Sequence, residues 1–330
     1  MRALTWLPGI GVAVLTLLTT AYLLGFFAGV ANHAWIFGGA LAFPIVCALL
    51  GLAAASFLLL LVALAKALRT RANMISTAST AGLFGISVLV LILSTPSLAP
   101  LDDLPSRQDG SELRALAWNV HQEDVSADDL VDLMGRTDAD VVVFAELYSG
   151  GDEARFPGGR YPEGYQLVDG HSIAVTLFVS EHLGEYRLVA ADDDSGAYTG
   201  IVAEPVDSES TSPKIVAVHT TRMALNPDIG ARPWQHGMGW ISQHCADPNT
   251  IALGDFNAGP ANFTDDRLGE CRLHSLGTSA PTWPSTVPVA LGATIDHILA
   301  TPDWTPTYAR TLDIPTSGTD HRPVFSVLTR

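Results

Sequence analysis

The sequence predicts a mixed α and β domain that follows an N-terminal region of three membrane helices. Three observations support this division. Positions 1–100 hold four basic residues and no Asp or Glu, whereas all 34 acidic residues of the chain lie in 101–330. The first part contains three long apolar runs, and the second alternates strand-like with helix-like patterns. With formal charges of +4 and −20, the two parts are unlike regions.

The apolar runs cover residues 7–30, 35–65 and 81–98. A membrane-spanning helix needs about 17 to 25 predominantly apolar residues, so each run is long enough to cross a bilayer. A cleaved signal peptide is the alternative for the first run. That run lacks a clear small-residue cleavage pattern, however, and two more runs follow it. We therefore expect three transmembrane helices.

The basic residues of the first part predict the orientation of these helices. Lys66, Arg69 and Arg71 lie between the second and third runs and should stay in the cytoplasm, together with Arg2. The loop between the first two runs has no Lys or Arg. We therefore expect a multi-pass protein of the plasma membrane with a cytoplasmic N-terminus and an extracytoplasmic C-terminal part.

The cysteines divide between the two parts. Cys47 lies in the second apolar run, where a small hydrophobic residue is its ordinary role. Cys245 and Cys271 both lie in the part expected outside the cytoplasm, and an oxidising compartment favours a disulfide between them. Two unpaired buried thiols are the alternative.

The domain boundaries follow from the patterns after residue 98. The stretch "APLDDLPSRQDGSE" mixes Pro, Gly and charge without periodicity, which is typical of a linker. We expect a membrane anchor, a linker and an extracytoplasmic domain over residues 1–100, 101–112 and 113–330.

The extracytoplasmic domain begins with a strand–helix–strand pattern. Residues 113–121 are strand-like, 126–137 are helix-like with Ser126 as N-cap and Asp129 three residues on, and 139–147 form a β-branched run. The same order recurs over 214–221, 231–245 and 249–258. Further strands are predicted over 171–180, 199–206, 293–300 and 322–328, and the acidic run 192–194 is predicted to be a solvated turn.

Polar residues of catalytic type follow four of the predicted strands. They are Asn119, Glu146, His219 and Asp255, with Asn257 two residues further on. Ligands of α/β sheets bind at the carboxyl ends of strands, where neighbouring strands bring such residues together. Asp296, within "TIDHIL", and the adjacent Asp320 and His321 extend the set.

This combination suits the hydrolysis of phosphoesters. Mg²⁺ prefers oxygen ligands, which Asn119, Glu146 and Asp320 can supply, and Mn²⁺ is the alternative ion. His219 and Asn257 can hold phosphoryl oxygens.

A base must then take a proton from the attacking water. His321 suits that role near neutral pH if a carboxylate such as Asp296 fixes its tautomer, and Asp255 can position or deprotonate the water instead. Singly these residues have ordinary structural roles: Glu146 as a helix cap, Asn119 as a turn residue and His219 as a core histidine. Their combination favours catalysis.

The successive motifs "WNVH", "FAEL", "AVHT", "LGDFNA", "IDHIL" and "GTDHRPV" resemble those of the endonuclease/exonuclease/phosphatase superfamily. That superfamily includes DNase I-like nucleases, inositol polyphosphate 5-phosphatases and neutral sphingomyelinases. The resemblance covers about residues 113–328 and implies an α+β fold, a four-layer α/β/β/α sandwich. It also implies Mg²⁺ at Asn119 and Glu146 with Asp320 orienting or ligating it, phosphate contacts from His219 and Asn257, water activation at Asp255, and an Asp296–His321 pair.

Two departures from the motif pattern stand out. Relatives often carry Ser-Arg or Ser-Lys after the third strand, where this chain has Ser180, Glu181 and His182, and His121 replaces an Asp of some nucleases. The three membrane helices before an exported catalytic domain also resemble actinobacterial membrane proteins associated with teicoplanin resistance.

Charge discriminates between the candidate functions. Binding of a nucleic acid depends on Lys and Arg, and a domain with a charge of −20 and no basic run is poorly suited to it. We expect the partner to be a membrane lipid or another small phosphoester, with a DNase I-like nuclease as the alternative. A non-catalytic binding domain is a third hypothesis, which the presence of every motif residue disfavours.

Overall fold

The computed structural model describes residues 97–108, 112–121, 125–147, 162–168, 175–192, 200–223, 228–263, 267–273, 280–314 and 318–330. The predicted membrane helices lie outside the described residues, apart from positions 97 and 98. Within the described ranges, no helix is long and apolar enough to cross a membrane.

Two β-sheets form the centre of the domain. The first sheet has the strand order β1-β12-β13-β2-β3-β5-β4 and the second β10-β11-β9-β8-β7-β6. In chain order the strands are β1 (Ala99–Pro100), β2 (Glu112–Asn119), β3 (Val141–Ala145), β4 (Tyr165–Val168), β5 (Val175–Ser180), β6 (Tyr186–Asp192), β7 (Gly200–Pro205), β8 (Lys214–His219), β9 (Thr250–Asp255), β10 (Arg272–Leu273), β11 (Asp296–Ala300), β12 (Thr305–Asp313) and β13 (Val324–Thr329).

Each sheet has one parallel pair at its centre, β2 with β3 and β8 with β9, and most other pairs are antiparallel. The two parallel pairs are the predicted strand–helix–strand units. Their crossover helices are α1 (Ala127–Thr137) and α2 (Ala231–His244). Ser126 caps α1 by accepting a hydrogen bond from the Asp129 amide at 3.2 Å, so the predicted N-cap is confirmed.

The layers are α1, the first sheet, the second sheet and α2. Alternating side chains of both sheets meet in a buried core between them that includes Val143, Leu177, Ile215 and Leu253. A second cluster packs α1 on the outer face of the first sheet, and a third packs α2 on the second sheet around Trp234. The expected four-layer α/β/β/α sandwich is confirmed.

The packing of the sheets brings their carboxyl edges together. β2, β3, β8 and β9 all run towards one edge, and the antiparallel strands β11 and β13 start there. We call this the carboxyl edge. All the strand ends singled out in the sequence lie on it.

Part of the stretch that the sequence predicts to be a linker contacts the domain. Ala99 and Pro100 pair in parallel with Leu312 and Asp313, which extends the first sheet by one strand. Arg107 then donates hydrogen bonds to Asp138 and Asp140. Partly buried leucines of this segment also pack on the α1 cluster. The local sequence lacks periodicity because these contacts are long-range.

Two further predictions have clear outcomes. Cys245 and Cys271 form a disulfide with a Cα–Cα distance of 5.4 Å, which confirms the expected bridge.

Asp192 is buried at the end of β6 instead of lying in a solvated turn, since its side chain packs beside α2, 3.6 Å from the His236 Nε2 atom. Positions 193 and 194 lie outside the described residues.

Candidate active site

A hydrogen bond between the two sheets defines the centre of the candidate site. The Asn119 amide at the end of β2 donates to Asp255 Oδ2 at the end of β9 over 2.9 Å. The same amide nitrogen lies 3.0 Å from Glu146 Oε1, just after β3. The Asn119 side-chain oxygen accepts from the backbone amide of His121 at 2.9 Å. Asn119 therefore fixes both carboxylates at the carboxyl edge.

Asp296 and His321 form the expected acid–histidine pair. His321 Nδ1 lies 2.9 Å from Asp296 Oδ2, and both side chains are buried. Asp296 is the register partner of Asp255 on the neighbouring antiparallel strand, so the two carboxylates lie side by side. With Nδ1 engaged, His321 directs Nε2 into the site, 4.0 Å from Asp255 Oδ2.

Burial and neighbouring charges shift the pKa values of this group. Burial opposes a charge on the His321 imidazole, but the charge and hydrogen bond of Asp296 outweigh it, and Asp255 and Asp320 add to them. Together they raise the pKa of His321 to about 9. Burial raises the pKa of Asp255, the charge of Asp296 raises it further, and His321, His219 and Asn119 act against the shift. A cationic imidazole and a carboxyl group of increased basicity thus face each other.

Glu146 and His219 form the more open side of the site. His219 Nε2 lies 3.5 Å from Glu146 Oε1 and 3.9 Å from Asp255 Oδ2. Both side chains are 19% exposed, against 2% for Asp255. Solvent and a substrate can therefore reach this side more readily than the Asp296–His321 pair.

Backbone conformation places two of these side chains. Glu146 has φ 58° and Asn257 has φ 46°, in the left-handed region that non-glycine residues seldom adopt. The Asn257 side-chain amide donates to the Thr220 carbonyl at 2.7 Å, and its backbone amide donates to Asp255 Oδ1 at 2.8 Å. Local strain at functional sites is common, and here it turns both side chains at the strand ends.

Asp320 is held by a residue that the sequence analysis did not single out. The Trp283 indole donates to Asp320 Oδ2 at 2.6 Å, and the Ser285 amide donates to the Asp320 carbonyl at 2.6 Å. Asp320 Oδ1 is buried without a hydrogen-bond partner and lies 3.8 Å from His321 Nε2. No periodic pattern marks Trp283, because it lies in a loop.

Thr319, within the motif "GTDHRPV", is a second contributor to which the sequence pattern assigns no role. Its hydroxyl donates to the Asn119 carbonyl at 2.8 Å and accepts from the His321 amide at 3.1 Å. It therefore ties the loop that carries His321 to the end of β2.

The donor set fits a hard divalent cation. Among the described residues, Asp296 and Asp320 each keep one buried carboxylate oxygen without a hydrogen-bond partner. An unpaired buried carboxylate oxygen is costly unless a cation or proton compensates it. Ligand atoms of Asp255, Asp296 and His321 also lie within 4.8 Å of one another, close enough to share an ion. An ion there would compete with the Asp296–His321 hydrogen bond, whereas Glu146 and Asp320 Oδ1 have no such conflict.

The departures from the motif pattern lie in two places. Ser180 and His182 are at the opposite edge of the first sheet, where His182 Nε2 lies 3.1 Å from Asp140, so they make no contact with the site. His121 is exposed at the carboxyl edge with φ 47°.

Comparisons with known proteins agree with this architecture. The sequence model described as "Endonuclease/Exonuclease/phosphatase family" matches residues 116–321. D. rerio TDP2 complexed with single strand DNA product has a similar structure, with 14% identity, a TM-score of 0.50, and coverage of 67% of this chain and 100% of that one. At that identity the likeness concerns the fold alone.

Two further solved structures are similar at lower scores. The Bacteroides thetaiotaomicron mannosyl-6-phosphatase has 13% identity, a TM-score of 0.49, and coverage of 66% of this chain and 100% of that one. The human Nocturnin catalytic domain with bound sulfate has 16% identity, a TM-score of 0.48, and coverage of 70% and 99%. No curated protein matches the sequence significantly.

Proposed function

This chain belongs to the endonuclease/exonuclease/phosphatase family, and on that premise we propose that it is a divalent-metal-dependent phosphoesterase acting outside the cytoplasm on a lipid-borne phosphate. Members of the superfamily are hydrolases of phosphoesters. The observation that carries the proposal is the buried Asp296–His321 pair, with a hydrogen bond of 2.9 Å, beside Asp255 at the same edge as Glu146. This arrangement has the parts that phosphoester hydrolysis needs.

Asp255 and His321 have different roles in the proposed reaction: Asp255 takes the proton of the water, and His321 binds the phosphoryl group. Asp255 lies between His219 and His321, at 3.9 and 4.0 Å from their Nε2 atoms, and is well placed to orient the attacking water and to take its proton. The water oxygen forms a bond to phosphorus as the bond to the leaving oxygen breaks. The Nε2–H of His321, fixed by Asp296, donates to a phosphoryl oxygen, as do His219 and Asn257. Geometry thus favours Asp255 over His321 as the base.

Glu146 and Asp320 would hold the divalent ion, with Asn119 orienting Glu146. When bound, the ion supplies charge neutralisation for the phosphoryl oxygens, and Mg²⁺ or Mn²⁺ suits oxygen ligands of this kind. Glu146 Oε1 accepts a 3.0 Å hydrogen bond from Asn119, and Asp320 Oδ1 has no hydrogen-bond partner, so both carboxylates keep capacity for a cation.

Location and charge support a lipid substrate. A disulfide between Cys245 and Cys271 is typical of an oxidising compartment. The apolar runs before residue 99 would place the domain at the membrane, and Ala99 joins the first sheet beside Leu312, near its carboxyl edge. Three strand spacings separate β1 from β2, about 15 Å in all, so the tether begins close to the site. The charge of −20 over residues 101–330 disfavours a nucleic acid.

A substrate comparison tests the proposal. Full-length protein in detergent micelles would be assayed for phosphate release from an isoprenoid pyrophosphate, for head-group release from a phospholipid, and for cleavage of single- and double-stranded DNA. We expect lipid turnover that a chelator abolishes and that Mg²⁺ or Mn²⁺ restores, with His321→Ala as the inactive control. Rapid cleavage of DNA without turnover of either lipid would show instead that the protein is a nuclease.

A further inference from the structure

We propose that Trp283 is a positioning residue for the metal site: its indole N–H holds one oxygen of Asp320 so that the other oxygen faces the ion. The inference rests on the proposed function, because it takes Asp320 to be a ligand of the divalent cation. It adds a residue that acts through Asp320 and not on the substrate.

The contact itself is short and specific. Trp283 Nε1 lies 2.6 Å from Asp320 Oδ2, a charge-assisted hydrogen bond if the carboxylate is ionised. Asp320 lies in the loop between β12 and β13, and its side chain is 35% exposed. Occupation of Oδ2 by the indole leaves Oδ1 as the oxygen without a hydrogen-bond partner.

The loop that carries Trp283 is itself tightly held. We call residues 281–287 the tryptophan loop. The buried Arg322 guanidinium donates to four of its backbone carbonyls, those of Pro281, Pro284, Ser285 and Val287, at 2.6 to 3.5 Å. Arg322 directly follows His321, so the same short segment anchors the loop and supplies the site.

The tryptophan loop also contacts both halves of the site. The Thr282 hydroxyl accepts from the backbone amide of Asp296 at 3.3 Å, while the Ser285 amide donates to the Asp320 carbonyl at 2.6 Å. The loop therefore sets the distance between the acid–histidine pair and the proposed metal ligand. The hydrogen bond from the Trp283 indole then sets the rotation of the Asp320 carboxylate.

Residues that hydrogen-bond to metal ligands typically change metal affinity or activity by about 10- to 100-fold when they are replaced. Trp283→Phe keeps most of the ring and removes the N–H donor. We expect it to raise the Kd for Mn²⁺ by roughly 10-fold or more, since Asp320 can then rotate.

A matched control exists on the opposite side of the domain. Trp304 is buried, and its indole donates to the Asn249 side chain at 3.0 Å, away from the site. Trp304→Phe removes a bond of the same chemical kind, so we expect it to leave Mn²⁺ affinity within about twofold of wild type while changing stability by about 1 kcal/mol.

The direct measurement is Mn²⁺ binding, followed by the electron paramagnetic resonance signal of the free ion with the full chain in detergent micelles. It is made for wild type, Trp283→Phe, Asp320→Ala and the double variant. If Trp283 acts through Asp320, the Trp283→Phe change should have no further effect in the Asp320→Ala background. A double variant whose loss of Mn²⁺ affinity equals the sum of the two single losses would overturn the inference.

A second variant covers the case in which Trp283→Phe does not fold. A Cβ atom on Gly292 would lie 2.9 Å from the Trp283 carbonyl oxygen, so Gly292→Ala should displace the tryptophan loop and weaken Mn²⁺ binding with the indole still present. Unchanged Mn²⁺ affinity in folded Trp283→Phe, or in folded Gly292→Ala, would overturn the proposal.

The metal readout separates this inference from the proposed function. If wild type binds Mn²⁺ but hydrolyses no phosphoester, the proposed function fails, and the comparison of Kd values still decides the role of Trp283. If wild type binds no Mn²⁺, both fail.

Discussion

Two buried aspartates at opposite edges of the domain differ in how completely their oxygens are hydrogen-bonded. Asp140, at the start of β3, accepts from Arg107 at 2.7 and 3.3 Å and from the Arg114 amide at 2.7 Å, and His182 lies 3.1 Å away. Asp296, at the start of β11, has one partner, His321, and one buried oxygen with none. Both side chains are at most 1% exposed.

This difference separates a structural carboxylate, Asp140, from a functional one, Asp296. A carboxylate whose lone pairs are filled stabilises the native state, because its desolvation is compensated. A buried carboxylate with an unpaired oxygen reduces stability unless a cation or a proton compensates it. Asp296 is a carboxylate of the second kind, and Asp140 is one of the first.

The largest expected effect is on catalysis at the carboxyl edge. His321→Ala and Asp255→Ala should each lower turnover by about three orders of magnitude or more, as the loss of one member of a catalytic unit can. Because these residues lie at the end of strands and not in the core between the sheets, the fold should survive. Turnover with circular dichroism of the same samples checks this. A folded variant with near-normal turnover would show that other groups do the chemistry.

The next largest effect concerns pH and a buried group next to Asp296. His297 packs against Phe256 and Phe263, and burial lowers its pKa from 6.5 to about 4, despite its hydrogen bond with the Ala258 carbonyl. Between those values the unfolded chain binds a proton that the folded chain does not. Stability should therefore fall as pH drops from about 6.5 towards 4, by on the order of 3 kcal/mol in total.

Denaturant midpoints measured across this pH range test the His297 prediction. His297→Gln keeps a donor for the Ala258 carbonyl and removes the titration, so its midpoint should decline less steeply below pH 6.5. Equal slopes for the variant and the wild type would mean that His297 is not the group responsible.

The smallest effect is expected at the opposite edge. Arg107→Ala removes two of the hydrogen bonds to Asp140, and we expect it to lower the free energy of unfolding by about 1–3 kcal/mol, with turnover of the folded protein unchanged. Arg136→Ala is the matched control, because its pair with Asp102 is exposed and should contribute under about 1 kcal/mol. Denaturant unfolding followed by tryptophan fluorescence measures both. Equal losses in the two variants would refute a special role for Asp140.

Sequence patterns were sufficient to predict the regular elements that position the site. The apolar runs before Asn119, Glu146, His219 and Asp255 are strands of two sheets, and their ends converge as expected. This succeeds because strand ends are encoded locally, by an apolar run that stops at a polar residue.

Other features could not be predicted from the sequence pattern, because they depend on contacts between residues that are far apart in the chain. The segment 99–108 reads as a linker, yet its contacts are with β12 and with residues 138–140. Trp283 lies in an aperiodic loop, and its partner Asp320 is 37 residues away. The burial of Asp192 likewise depends on packing beside α2. A local sequence pattern carries no information about contacts over such sequence separations.

The most direct test of the account exchanges one oxygen for nitrogen at each of the two aspartates. We would measure turnover of the lipid substrate and the denaturant midpoint for Asp296→Asn and Asp140→Asn in the full chain. We expect Asp296→Asn to lose roughly 100-fold or more in turnover, since His321 loses the carboxylate that orients it. We expect Asp140→Asn to lower the midpoint and to keep turnover. Turnover retained by folded Asp296→Asn, or lost by folded Asp140→Asn, would contradict the assignment of the two aspartates.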